Sequence, residues 1–121
     1  MEVFDQEVLA RQQVARRYSE ALRQVVEVPY VAPECTSVWA QYSVLSEERA
    51  TLQHRLKDVG VPTAVYYHRP LHLQEAFAHL GWHRGDFPVS EGVAARIFSL
   101  PMHPYLSQAE QERIIGALVR R

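Results

Sequence analysis

Six histidines, one cysteine, a single lysine and a tyrosine pair are the residues of this 121-residue chain whose types could carry chemistry. His68 and His72, and likewise His79 and His83, stand four apart, a spacing used by zinc ligands on a helix. Pro70 falls inside the first pair and Gly81 inside the second, so neither pair is expected to share one helical face. With no HExxH pattern and no nearby cysteine, a structural or surface role is the better reading, and His54 is read as a solvated helix residue. Cys35 lies in a proline-bounded loop without the sequence signature of an activating base, and the chain has no Gly-x-Ser-x-Gly elbow. Phosphate cradling fails too, because the five glycines form neither a Gly-x-Gly-x-x-Gly turn nor a P-loop.

One segment stands out, Thr63-Ala64-Val65-Tyr66-Tyr67-His68-Arg69-Pro70-Leu71-His72-Leu73-Gln74. It reads as a strand ending in two tyrosines that runs into a polar turn fixed by proline, and strand ends are where sites are commonly grafted. Tyrosine, histidine and arginine suit a sugar hydroxyl or a phosphate. By composition alone, the reading of one core tyrosine among ordinary surface residues is favoured, since such clusters are common on surfaces.

These residues must be positioned by a small set of elements. Phe4, Val8, Ala15, Tyr18, Leu22 and Val25 recur at three- and four-residue steps and predict an amphipathic helix from about Asp5 to Val25, its stripe interrupted by Arg11. Pro29 and Pro33 mark an irregular connection. Alternation over Val38–Leu45 predicts a strand. Ser46 is read as the N-cap of a second helix, with Leu52, Leu56 and Val59 as its stripe and Gly60 as its stop. Thr63–Tyr67 reads as a short strand, and Leu73, Ala76, Phe77 and Leu80 as a short helix closed by Gly81. Pro88 is placed in the first turn of a helix running to about Arg96. For Ile97–Leu100 periodicity allows a strand or a helix end, and a brief strand is favoured. Ser107 and Glu110 form a capping box ahead of a last helix with Ile114, Ile115, Leu118 and Val119 on its apolar face. The fold class expected is α+β, a small antiparallel or mixed sheet of three strands covered by helices.

At this length, with 47% hydrophobic residues, the chain builds one core, so residues 1–121 are read as a single domain. Thirteen basic residues nearly cancel 14 acidic ones, which argues against a nucleic-acid partner. The lone cysteine excludes an internal disulfide and fits a reducing cytoplasm. No segment approaches the roughly 20 apolar residues of a membrane span, and the charged N-terminus has no signal-peptide core.

Several stretches, in order, form a recognisable set: Arg11 with Tyr18, Ser37-Val38-Trp39-Ala40-Gln41-Tyr42, Gly60-Val61-Pro62-Thr63-Ala64-Val65-Tyr66-Tyr67 and Pro70-Leu71-His72-Leu73-Gln74. Farther on come Phe87-Pro88-Val89-Ser90-Glu91 and the run from Ser99 to Ser107. Together they resemble the small C-terminal domain of the DegT/DnrJ/StrS sugar aminotransferases, a branch of the fold-type I pyridoxal phosphate enzymes. No piece is specific alone; the ordered set is. The resemblance implies a cytosolic homodimer that transfers an amino group from glutamate to a keto sugar on a nucleoside diphosphate, with pyridoxal phosphate (PLP) as electron sink. It further implies that a large N-terminal domain supplies the Schiff-base lysine and most phosphate contacts. By position the resemblance matches Tyr66 and Tyr67 to the family's aromatic or histidine–tyrosine pair at the substrate cleft, and His72 to the polar residue shortly after it.

The large domain has no counterpart in these 121 residues, and Lys57 is no substitute. It lies near the end of the second helix on the polar side of its stripe, where it is expected to be solvated and a poor nucleophile. The chain is therefore expected to be a domain fragment that neither binds PLP nor transaminates alone. A stand-alone α+β interaction module without PLP chemistry is the competing reading, and a metal or pH sensor built from the histidines is a third. An exposed apolar patch on the first helix, at Phe4, Val8 and Tyr18, would favour the enzyme domain, as a face once covered by the large domain.

Overall fold

The computed structural model describes residues 2–120. Helix α1 (Glu2–Leu22) leads into strand β1 (Tyr42–Leu45) and helix α2 (Arg49–Asp58). Two 3-10 turns (Leu71–Leu73 and Glu75–Leu80), helix α3 (Pro88–Arg96), strand β2 (Ile97–Leu100) and helix α4 (Gln108–Val119) complete the order. The α+β class is as expected, and no described helix is long and apolar enough to cross a membrane.

The sheet is smaller than the sequence predicts. Strands β1 and β2 pair antiparallel, Tyr42 opposite Leu100 and Val44 opposite Phe98, with the Ser43 and Ser99 hydroxyls bonded at 2.7 Å across the ladder. The third element contributes one bridge, in which Ser99 donates to Ala64 at 2.8 Å and Ala64 to Ser99 at 3.3 Å. It cannot lengthen into a strand because a turn at Tyr66 and Tyr67, the latter at φ +57°, takes the backbone out of extension. A similar break shortens β1. Trp39 stands at φ +52°, so the alternation beginning at Val38 becomes a strand only from Tyr42.

The helix ends follow local chemistry. The Leu22 carbonyl accepts from Val25 and Val26 at 2.8 and 3.0 Å, closing α1 before Val25, and Glu27 then pairs with Leu45 beside β1. Ser46 is not the N-cap expected of it. Its hydroxyl accepts from Glu48 N–H at 3.1 Å in a turn ahead of α2, leaving Glu48 as a cap without a side-chain bond. At the other end Gly60, at φ +73°, donates to Lys57 while Val61 donates to Leu56, a Schellman arrangement that returns Val61 to the core. The capping box of α4 forms as expected, Ser107 and Glu110 each satisfying the other's backbone N–H.

The core lies where α1, α2 and α4 meet the sheet. Ala15, Tyr18 and Leu22 of α1, Tyr42, Val44, Phe98 and Leu100 of the strands, Leu52 and Leu56 of α2, and Ile114 and Leu118 of α4 are buried together. Gln111 is a polar member of this layer. It donates to the Val14 carbonyl at 2.7 Å and accepts from Arg17 at 2.8 Å, so α1 and α4 are joined by satisfied polar contacts as well as packing. Tyr18, fully buried, donates its hydroxyl to the Pro101 carbonyl at 2.9 Å.

Candidate functional site

Between the Tyr66–Leu71 segment and α3 runs a groove of about 460 Å³. Tyr66, Tyr67, Pro70 and Leu71 form one wall; Ser90, Val93, Ala94 and Ile97 form the other. Tyr66 also lines a second hollow of about 250 Å³ with Gln41, Thr63 and Ser99, so it borders two cavities. Tyr67 is the most exposed of the pair, at 78%. Its left-handed backbone conformation costs a side-chain-bearing residue about 1–2 kcal/mol, and such strain tends to gather at binding sites. The lining is mainly apolar, with tyrosine hydroxyls and Ser90 as its polar points. It can hold and orient a ligand; it offers no nucleophile paired with a base.

His72 is one residue beyond this wall and does not line the groove. Its imidazole is 7% exposed, rests on Phe87 with ring centroids 4.7 Å apart, and donates through Nε2 to Glu91 Oε1 at 2.9 Å. The same carboxylate oxygen accepts from Gly85 N–H at 2.7 Å. Those bonds, Gly85 first and His72 second, hold the Glu91 carboxyl below the usual carboxylate range. Trp82 meets Phe87 edge-on at 5.2 Å, completing a small aromatic cluster at the start of α3. Tyr66 and Tyr67 thus share a groove, while His72 is enclosed against Phe87 and Glu91 and lines no part of it. Sequence reasoning passed over Glu91 as a partner of His72, although Pro88 and Glu91 in one first turn were a usable signal for an anchored helix start.

The other candidates are dispersed. Among the described residues no three metal-ligating side chains gather, and His54 pairs with Asp58 at 3.1 Å on the exposed face of α2. Cys35 is exposed, and Lys57 is exposed on the last turn of α2 and lines neither groove. The apolar patch on α1 is only partly as expected. Val3, Phe4 and Leu9 are exposed and Val8 is half-buried, but Tyr18 belongs to the core because its ring packs on Tyr42 at 5.0 Å. Arg11, which interrupts the stripe, donates to the Trp39 carbonyl at 2.9 Å and so fastens α1 to the strained turn ahead of β1.

The sequence profile of the DegT/DnrJ/EryC1/StrS aminotransferase family matches residues 1–119. The chain belongs to that family. It is 41% identical over 119 residues to the UDP-2-acetamido-2-deoxy-3-oxo-D-glucuronate aminotransferase of Pseudomonas aeruginosa, covering 98% of this chain and 32% of that protein. A crystal structure of a DegT/DnrJ/EryC1/StrS aminotransferase from Brucella abortus superposes with a TM-score of 0.86 at 51% identity, over 93% of this chain and 30% of that one. The S. venezuelae DesV structure, in complex with a ketimine intermediate, gives a TM-score of 0.89 at 30% identity, over 93% and 31%. The chain thus spans about a third of the length of the relatives it matches.

Proposed function

We propose that this chain is the C-terminal small domain of a PLP-dependent aminotransferase that transfers an amino group from glutamate to a keto sugar carried on a nucleoside diphosphate. The observation that carries the reading is the match itself, 41% identity over 98% of this chain to an aminotransferase named for a nucleotide-linked keto sugar. In this reading a separate large N-terminal domain completes the enzyme, which works as a cytoplasmic homodimer. Tyr66 and Tyr67 form the small-domain wall of the substrate cleft, and His72 supports that wall from behind.

The residues present do not fit PLP by themselves. Lys57 is exposed at the end of α2 and lines neither groove, and the groove beside Tyr67 has no cationic lining for a phosphate. The chain alone is therefore a binding wall without a reaction centre. Its contribution is to orient the sugar and exclude water along an apolar surface, while the cofactor, when held by the complete enzyme, supplies the electron sink. The exposed Val3, Phe4 and Leu9 at the start of α1 suit a helix end that meets another domain.

The test is a chimera in which residues 1–119 replace the matching third of the Pseudomonas aminotransferase. Amination of that enzyme's keto-sugar substrate, with glutamate as donor, is the expected result. A chimera that folds and takes up PLP yet forms no amino sugar would refute the assignment.

A further inference from the structure

Residues 66–86 carry one wall of the groove, yet they are weakly tied to the fold. Pro70 is their only residue buried as a whole, and beside it only the His72 imidazole, 7% exposed, is enclosed. Their hydrogen bonds are mostly internal: Leu73 to Pro70, Gln74 to Leu71, Phe77 to Gln74, Gly81 to Ala78, and Asp86 to His83. Two bonds among the described residues leave the segment, those of His72 Nε2 at 2.9 Å and Gly85 N–H at 2.7 Å, and both end on Oε1 of Glu91. Glu91 stands in the first turn of α3, the helix that provides Ser90, Val93 and Ala94 to the opposite wall.

We propose that Glu91 is a positioning residue, a latch whose single carboxylate oxygen holds the Tyr66–Tyr67 wall at a fixed distance from α3. The span of the groove is then set by one side chain. An ionised carboxylate is suited to this, since it accepts two N–H bonds at once and makes each stronger than a neutral acceptor would. The latch is placed where both arms matter. His72 follows the groove residues Pro70 and Leu71 directly, and Gly85, at φ +97°, closes the return of the chain into Phe87 and Pro88. Beyond Pro70 and the contacts of His72 and Trp82 with the half-exposed Phe87, little apolar packing backs the segment up, so losing the carboxylate opens it locally and leaves the core of α1, α2 and α4 in place. That Glu91 serves substrate binding rests on the reading of the groove given above; that it holds the segment does not.

Hydrogen exchange on the full 121-residue chain tests the latch. Glu91→Ala is expected to speed exchange at Leu73, Gln74, Phe77, Gly81 and Asp86 by about tenfold or more, the scale of one lost charge-assisted bond, with Leu45 and Ser99 unchanged. Glu91→Gln, which retains an acceptor oxygen, falls between Ala and wild type. His72→Phe keeps a ring against Phe87 but removes one arm, and gives the same local pattern if Glu91→Ala does not fold. Exchange over residues 68–86 that stays within about twofold of wild type, or that rises equally in β1 and β2, overturns the latch. In the chimera, Glu91→Ala is expected to raise KM for the keto sugar with kcat moving less, and Glu91→Gln to restore most of it. Local opening without a KM effect would leave the latch standing and overturn its link to substrate; a KM effect without opening would overturn the latch.

Discussion

Truncating Tyr67 separates binding from folding, because its ring is 78% exposed. A buried aromatic side chain removes about 200 Å² from water, so the covered fifth of this one is roughly 40 Å². At ~25 cal/mol per Å² its loss costs about 1 kcal/mol of stability at most. The backbone adds a second, opposite term. At φ +57° alanine retains the left-handed strain, whereas glycine relieves about 1–2 kcal/mol of it and gives back about 0.5–1 kcal/mol in chain entropy. Tyr67→Ala is thus expected to lower the urea midpoint slightly, and Tyr67→Gly to leave it near wild type. If the ring forms the wall of a sugar-nucleotide cleft, both variants lose the same contact in the chimeric enzyme. KM for the keto sugar should then rise about tenfold, the usual effect of removing a central aromatic contact, with kcat changing less. Unaltered keto-sugar kinetics in both variants would refute the site assignment. A stability loss beyond about 2 kcal/mol would refute the reasoning from exposure, showing that the ring is part of the core.

Tyr18→Phe should cost about 1 kcal/mol by urea unfolding, because it removes a buried hydroxyl donor and leaves the Pro101 carbonyl without that partner; no change would mean that water replaces it. Glu91 and Glu110 both have carboxyls held below the ordinary range, Glu91 by Gly85 N–H and then His72, Glu110 by the Ser107 hydroxyl and then its N–H. A depressed folded-state value contributes stability that is complete above the unfolded value near pH ~4.3 and is lost as pH falls through the folded one. The urea midpoint should therefore drop from pH 7 to pH 3, and drop less in Glu91→Gln; an equal drop in both would remove Glu91 from the account. Incubating the chain with a slight excess of PLP, reducing with borohydride and mapping by mass spectrometry should show no stoichiometric adduct at Lys57. A tight adduct there, with amino transfer from glutamate, would overturn the reading of the chain as a wall without a reaction centre.

Local signals decided much of this protein in advance. Ala15, Tyr18 and Leu22 of the predicted stripe, the Gly60 stop, Pro88 in a first turn and the Ser107–Glu110 box each depend on neighbours within a few residues and took their expected places, whereas Phe4 of that stripe is exposed and Val25 lies beyond α1. The tyrosine pair was singled out too, as the end of a strand before a proline-fixed turn, and the fold places both tyrosines in a turn instead. What the sequence left open was set by partners distant along the chain. Thr63–Tyr67 looks like a strand, but whether it pairs depends on the edge of β2, and the turn at Tyr67 allows it only the Ala64–Ser99 bridge. Tyr18 could equally have faced a partner domain until Tyr42 and Pro101 closed over it. His72 was grouped with the tyrosines through the family resemblance, and its bond to Glu91, 19 residues on, is what only the fold could bring about. Helix periodicity and caps are properties of one segment, whereas register, enclosure and the direction of an imidazole depend on which segments meet. Only the packed chain brings those together.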